Sequence, residues 1–115
     1  MHELSIASAI FEAAATEARR HPGRTPLKLG LRIGELAGID HEALRFCFEA
    51  LVKDTELATL VLDIEACPRL HRCSRCDQSF PVRDFDVACP ECGDLATECV
   101  SGDELEMSYL EVSDP

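Results

Sequence analysis

Four of the seven cysteines form two C-x2-C pairs, a spacing typical of metal-binding sites. The pairs are Cys73 with Cys76 and Cys89 with Cys92, and twelve residues separate them. A hairpin of that length can bring both pairs around one ion, and four thiolates in a tetrahedral arrangement suit zinc. Because four protein ligands leave no open position for a substrate or a water molecule, the pattern predicts a structural zinc site.

A bound zinc ion would also account for how residues 70–102 fold. This segment has few apolar side chains and several prolines and glycines, so its burial alone cannot offset its chain entropy. Zinc binding, worth roughly 10–16 kcal/mol in small peptides, would supply the difference. Four unligated thiols and a redox Cys-x-x-Cys are the alternatives, which the paired spacing disfavours. Asp77 follows the first pair and Gly93 follows the second, so we expect a left-handed backbone at both positions.

The second candidate metal site is the N-terminus, where His2 follows Met1. A free Met1 amine, the backbone nitrogen of His2 and its imidazole can converge on one ion as three nitrogen donors in a plane. Such donors favour the tetragonal geometry of nickel(II) or copper(II). A histidine this close to a terminus is also commonly a solvated, frayed residue, so the residue types alone leave both interpretations open.

Hydrophobic periodicity predicts two helices and three strands that would position these sites. Apolar residues recur every three or four positions over 3–20 and 41–53, which predicts helices, and they alternate over 27–33, 60–66 and 105–112, which predicts strands. In the first helix the predicted buried stripe comprises Leu4, Ala7, Phe11, Ala14, Ala15 and Ala18. The cysteine-rich segment lies before the last strand, so it is predicted to be an insertion.

Length and charge exclude several classes of function. A chain of 115 residues with 46% apolar residues predicts one compact domain with a small appendage. Acidic side chains outnumber basic ones by 22 to 11, and they predominate in residues 1–68, 69–104 and 105–115 alike. Because every region would repel a polyanion, we do not expect nucleic acid as a partner.

The sequence also gives no indication of export or membrane insertion. The N-terminus lacks a basic segment followed by an apolar one, and no stretch approaches the length of a membrane span. An odd number of cysteines, four of them in C-x2-C spacing, fits a reducing compartment. We therefore expect a cytoplasmic protein without a membrane partner. Cys47 is predicted to lie in the core, on the apolar side of a helix, and no role is assigned to Cys67 or Cys99.

Several further segments stand in a characteristic order along the chain. They are Met1–Ala7 (MHELSIA), Gly34–Gly38 (GELAG), Glu42–Leu44 (EAL), Phe46–Glu49 (FCFE), the two cysteine pairs, Glu104–Glu106 (ELE) and Leu110–Val112 (LEV). In this order and spacing they resemble the HypA/HybF family of hydrogenase-maturation nickel chaperones over nearly the whole chain. The resemblance implies an α+β fold in which two helices pack on a three-stranded sheet, with a four-cysteine zinc ribbon inserted before the last strand. It implies a nickel-binding domain of residues 1–69 plus 103–115 and a zinc-binding domain of residues 70–102.

The resemblance places the nickel site on the N-terminal Met-His-Glu. His2 is then the principal nickel ligand, with the Met1 amine and Glu3 as further contributors, Glu3 either as a ligand or as a group that orients the site. Glu3 is equally an acid placed favourably in a first helical turn. Asp40 matches a position that supplies a nickel ligand in some family members, although an aspartate before a helix is also a good N-cap. His41 could substitute for Asp40 or simply be solvated.

The function that the resemblance implies is transport. The chain would take up nickel(II) and, with a nickel-handling GTPase, deliver it to the large-subunit precursor of a nickel-iron hydrogenase. Some relatives also serve urease maturation, and the chain would act as a monomer or homodimer without enzymatic activity. Two other classes stay open on the residues alone. One is a zinc ribbon that binds protein or nucleic acid, for which no basic face is visible; the other is a thiol redox or zinc-dependent enzyme.

Overall fold

The computed structural model describes residues 2–114, which fall into two compact units. One unit comprises residues 2–32, 38–65 and 106–114, and the other comprises residues 33–37 and 66–105. We call them the helical unit and the cysteine unit. Within the described residues, no helix is both long enough and apolar enough to cross a bilayer.

The helical unit contains the two predicted helices, α1 (Glu3–Ala18) and α2 (His41–Val52), which pack against each other. α1 ends two residues before the predicted position. Arg19 is its C-cap and donates its backbone N–H to the carbonyl oxygen of Ala15. The following residues form turns up to Gly23, which has a positive φ of 82°.

The buried stripe of α1 differs from the predicted one. The buried residues are Ile6, Ala7, Ile10, Ala14 and Ala15. In contrast, Leu4 is 56% exposed, and Phe11 and Ala18 are only half-buried. An alanine-rich helix offers two overlapping stripes of three- and four-residue spacing, and the stripe that carries two isoleucines buries more apolar area.

The first of two sheets contains three strands: β1 (Pro26–Gly34), β2 (Val61–Cys67) and β6 (Leu105–Val112). Their order is β2-β1-β6, so the last strand lies beside the first. In the central strand, Leu29 and Leu31 are almost fully buried. The predicted α+β fold is confirmed: two helices accompany a three-stranded sheet, and the cysteine-rich segment precedes the last strand.

The cysteine unit contains a second sheet of three short strands: β3 (Leu70–Cys73), β4 (Ser79–Pro81) and β5 (Thr97–Ser101). The order is β4-β3-β5, and both pairings are antiparallel. Its small core consists of Cys73, Phe80, Val82 and Cys89, with Val87 packed against it. Two of these five residues are cysteines, so apolar burial alone offers this unit little stabilisation.

A short 3-10 helix, Glu35–Ala37, belongs to the cysteine unit although it follows β1 in the chain. Its attachment is polar. The N–H of Leu36 donates to the carbonyl oxygen of Gly102 at 2.7 Å, and Glu35 Oε1 accepts the N–H of Arg69 at 3.2 Å. These bonds connect residues that lie far apart in the sequence.

Candidate metal centres

The sulfur atoms of Cys73, Cys76, Cys89 and Cys92 all lie within 4.8 Å of one another. The sulfur of Cys76 is 3.4 Å from that of Cys89, and the sulfur of Cys73 is 3.6 Å from that of Cys92. A tetrahedral zinc site with Zn–S bonds of about 2.3 Å requires sulfur–sulfur distances of about 3.8 Å. The four thiols therefore fit one zinc ion, and the donor set leaves no open position.

Each cysteine pair lies on a turn of the same type. The N–H of Asp77 donates to the carbonyl oxygen of Cys73 at 2.9 Å, and the N–H of Gly93 donates to that of Cys89 at 2.8 Å. The expected left-handed backbone is present at both positions, with φ of 60° at Asp77 and 74° at Gly93. A nearly identical local conformation thus aims two sulfur atoms from each pair toward one point.

The first cysteine of each pair is buried and the second is exposed. Cys73 and Cys89 are 0% and 2% exposed, whereas Cys76 and Cys92 lie at the surface. Two of the four candidate ligands therefore belong to the small core of the cysteine unit. A metal ion bound here would connect that core to the outer turns, which fits a structural role.

The crowded sulfur atoms perturb one another's ionisation. Backbone N–H groups, first that of Cys92 and then that of Glu91, lower the pKa of Cys89 to about 7 against the burial that opposes ionisation. The pKa of Cys76 is raised to about 12, chiefly because its thiol shares a hydrogen bond with Cys89. Neighbouring thiolates repel each other unless a cation neutralises them, so metal binding would displace protons from this cluster.

At the other candidate centre, Glu3 and Asp40 lie together. Glu3 Oε2 accepts a hydrogen bond from the backbone N–H of Asp40 at 3.3 Å. Asp40 is the N-cap of α2, and its Oδ1 accepts the N–H groups of Glu42 and Ala43 at 3.0 and 3.1 Å. The predicted capping role of Asp40 is therefore present, and it does not preclude a second role for the other carboxylate oxygen.

The other residues named for the predicted nickel site are His2, Met1 and His41. His2 is exposed at the N-cap of α1 and makes no side-chain capping hydrogen bond. Among residues 2–114, three or more metal-ligating side chains converge only in the four-cysteine cluster. The side chains of His2, Glu3 and Asp40 therefore do not converge on one point in this structure. Met1 lies outside the described residues. His41, the first residue of α2, is half-buried.

The three cysteines outside the cluster have different environments. Cys47, which was predicted to lie in the core on the apolar side of a helix, is half-buried on α2. Cys67, at the end of β2, is buried. Cys99 is exposed, and its thiol donates to the carbonyl oxygen of Ser101 at 3.2 Å.

One buried polar residue of the cysteine unit escaped sequence reasoning. The ring of His71, 7% exposed, lies with its Nδ1 3.1 Å from Thr97 Oγ1. The Thr97 hydroxyl donates to the carbonyl oxygen of Val87 at 2.7 Å, so His71 must be the donor to Thr97. These two hydrogen bonds connect β3, β5 and the segment at Val87. Their only sign in the sequence is a histidine two positions before Cys73.

Comparison with known proteins decides the family. Residues 1–112 match the family model described as "Hydrogenase/urease nickel incorporation, metallochaperone, hypA". The chain belongs to the HypA family. It is 38% identical to hydrogenase maturation factor HypA of Pelodictyon phaeoclathratiforme, covering 99% of this chain and 97% of that protein. It is 41% identical to the factor of the same name from Geobacter metallireducens, covering 97% and 99%.

Solved HypA structures share the fold. The solution structure of the nickel metallochaperone HypA from Helicobacter pylori superposes with a TM-score of 0.65 at 21% identity, covering 96% of this chain and 97% of that chain. A second HypA solution structure gives a TM-score of 0.73 at 22% identity, covering 98% and 97%. The HypA family is a metallochaperone family for hydrogenase maturation, and the four-cysteine cluster of this member is compatible with zinc.

Proposed function

We propose that this HypA-family chain binds nickel(II) at its N-terminus and delivers it to the large-subunit precursor of a nickel-iron hydrogenase. The observation that carries the proposal is the match to the family model over residues 1–112. His2 is the central ligand, with the Met1 amine, Glu3 and Asp40 as further contributors. The division into a nickel-binding part, residues 1–69 plus 103–115, and a zinc-binding part, residues 70–102, belongs to the same proposal.

The hydrogen bond between Glu3 and Asp40 supports a shared role for these two residues. It engages Glu3 Oε2, and the capping bonds of α2 engage Asp40 Oδ1, so a second oxygen of each carboxylate can serve an ion. Together with the His2 imidazole and the Met1 amine, these two carboxylates would supply a mixed nitrogen and oxygen donor set. Such a set suits nickel(II) better than the all-sulfur cluster, which suits zinc.

Exposure of the N-terminal residues suits a carrier, which must release its ion as well as hold it. His2 and Asp40 are exposed and Glu3 is half-buried, so a partner can reach these ligands and displace them one at a time. In contrast, two of the four cysteine ligands are buried. We therefore assign nickel as the transported ion and zinc as the resident structural one.

The other parts of the proposal follow from the family. A nickel-handling GTPase and the hydrogenase large-subunit precursor are the expected partners, with urease maturation proteins as further clients in some members. The chain carries no catalytic activity of its own on this proposal, since the closed cysteine site offers no position for a substrate. It acts in the cytoplasm as a monomer or homodimer.

A nickel titration of the zinc-loaded protein with its native N-terminus tests the proposal. Three proteins are compared by isothermal calorimetry: the unaltered chain, His2→Ala, and a chain extended by residues before Met1, which moves the amine away. Both altered proteins are expected to bind nickel at least tenfold more weakly than the unaltered chain, because each loses a nitrogen donor.

His21→Ala is the matched control, because His21 is also exposed but lies beyond the far end of α1. It should bind nickel like the unaltered chain. Equal nickel affinity in all four proteins would show that the terminal site is not the binding site.

A further inference from the structure

The turn at residues 83–86 of the cysteine unit has an unusual conformation for its sequence. Asp84 and Phe85 both have positive φ, 51° and 62°, as in a type I′ hairpin turn. The turn is closed by the N–H of Asp86, which donates to the carbonyl oxygen of Arg83 at 2.9 Å. Asparagine and glycine favour these two positions; aspartate tolerates the first, whereas a bulky aromatic residue is an outlier at the second.

Burial of the Phe85 side chain does not offset the free-energy cost of this conformation. Its side chain is 87% exposed, the largest exposed fraction among the large hydrophobic residues in the described part of the chain. Neither local backbone preference nor packing within this chain therefore accounts for an aromatic residue here. Strained residues of this kind concentrate at functional sites, and contact with another molecule would supply the missing burial.

A shallow recess begins at the base of the same turn. It has a volume of about 240 Å³, and Arg83 and Asp86 line it together with Phe80, Pro81, Ala88, Pro90 and the candidate zinc ligand Cys89. A projecting aromatic ring close to an apolar recess resembles the centre of a protein interface, where a few anchors carry most of the binding free energy. We call residues 83–86 and this recess the ribbon tip.

The charge of the tip selects its partner. Asp84 and Asp86 flank Phe85, and Arg83 is the one basic residue of the turn, so its net charge is negative. The segment 69–104 likewise carries 8 acidic and 4 basic side chains. A second copy of this chain, with a net charge of −11, would be repelled. The surface that covers the tip must therefore combine apolar groups with lysine or arginine.

From these observations we infer that the ribbon tip docks an apolar segment, flanked by basic residues, in the incompletely folded hydrogenase large-subunit precursor. Phe85 is the anchor, and Asp84 pairs with the basic flank. A chain that has not completed its folding exposes apolar segments that its native state buries, which is what the tip can contact. This inference rests on the proposed function, since it assigns the interface for the client proposed above.

The test measures binding of the purified precursor to zinc-loaded full-length protein. In Phe85→Gly, glycine relieves the positive φ and removes the ring, so the melting temperature should stay unchanged or rise while affinity for the precursor falls by about tenfold or more. Asp84→Asn keeps a residue that tolerates positive φ and removes one charge. It should weaken binding at low salt, with the difference vanishing at high salt.

Leu95→Ala is the matched control, because Leu95 is a 72% exposed apolar side chain of the same unit outside the tip. It should bind the precursor like the unaltered chain. If Phe85→Gly binds the precursor as tightly as the unaltered chain does, the inference is overturned and the proposed function stands. The same holds if Phe85→Gly loses affinity for the nickel-handling GTPase but not for the precursor. An unaltered chain that binds nickel but no precursor would overturn the inference and the proposed client together.

Discussion

The carboxylate of Glu3, the first residue of α1, accepts a hydrogen bond from the backbone N–H of Asp40, the residue that caps α2, at 3.3 Å. The two residues are 37 positions apart in the chain. One contact therefore joins the beginnings of both helices at the proposed nickel site. Its structural and metal-binding contributions can be separated by substitution.

Glu3→Gln should weaken nickel binding while leaving the fold intact. Glutamine retains a carbonyl oxygen that can accept the Asp40 N–H, but it removes the negative charge. We expect the free energy of unfolding to change by less than about 0.5 kcal/mol and nickel affinity to fall roughly 10- to 100-fold. Urea unfolding and nickel calorimetry measure the two quantities. A fall in stability with unchanged nickel affinity would assign Glu3 a purely structural role.

Asp40 should respond differently to its two replacements by Asn and Ala. Asn caps a helix about as well as Asp, so Asp40→Asn should retain stability, whereas Asp40→Ala removes the cap and should cost about 1 kcal/mol. Both should lower nickel affinity if the carboxylate is a ligand. Glu49→Ala, an exposed acid on the same helix, is the control for general loss of charge. Retention of full nickel affinity in Asp40→Asn would limit Asp40 to capping.

Sequence reasoning predicted what depends on local pattern. The cysteine spacing predicted that the four thiols come together, as they do, because two similar turns determine where their sulfur atoms point. The left-handed positions at Asp77 and Gly93 followed from the same reasoning. The positions of α1, α2, β1, β2 and β6 were predicted to within about two residues, since hydrophobic periodicity reports which face each element buries.

What the sequence could not predict depends on tertiary contacts. The bond from Asp40 to Glu3 joins distant segments, and no periodicity signals it. The choice between two apolar stripes on α1, which exposes Leu4, depends on what the helix packs against. The turn at Phe85 was not predicted, because phenylalanine disfavours the positive φ that it has in the structure.

Cys73→Ser should abolish zinc binding and unfold the cysteine unit. Cys73 is fully buried in the unit's small core, and serine matches its size without supplying a thiolate. Zinc content should fall from about one equivalent to near zero, and the amide resonances of residues 66–105 should lose their dispersion. Cys99→Ser, an exposed cysteine outside the cluster, is the control and should keep its zinc. A folded, zinc-loaded Cys73→Ser protein would contradict the four-ligand assignment.

Tyr109 should ionise at unusually high pH. Its hydroxyl donates to Asp63 Oδ2, and this bond raises the pKa of Tyr109 to about 12, because the carboxylate stabilises the neutral phenol. The stabilisation is fully present below the ordinary tyrosine pKa of about 10 and is lost as the pH rises through about 12.

The measurement is direct because the chain contains one tyrosine and no tryptophan. Absorbance at the phenolate band should titrate with a midpoint near 12, and Asp63→Ala should return the midpoint toward the ordinary value of about 10. Far-UV circular dichroism over the same range establishes that the chain is still folded. An unchanged midpoint in Asp63→Ala would show that another group controls Tyr109.

Gly102→Ala should destabilise the protein more than Gly23→Ala does, although both glycines have positive φ, 115° and 82°. A Cβ at Gly102 would lie 2.7 Å from the backbone Cα of Arg69, whereas a Cβ at Gly23 would meet no atom within 4 Å. Gly23→Ala should therefore cost only the strain of a positive φ, about 1–2 kcal/mol. Gly102→Ala must also displace the Arg69 backbone, whose carbonyl oxygen accepts the N–H of Val82 at 3.0 Å. We expect a loss exceeding that of the control by about 1–3 kcal/mol in urea unfolding of the zinc-loaded protein. Equal losses in the two variants would mean that strain at φ alone, and not close backbone approach, requires glycine at position 102.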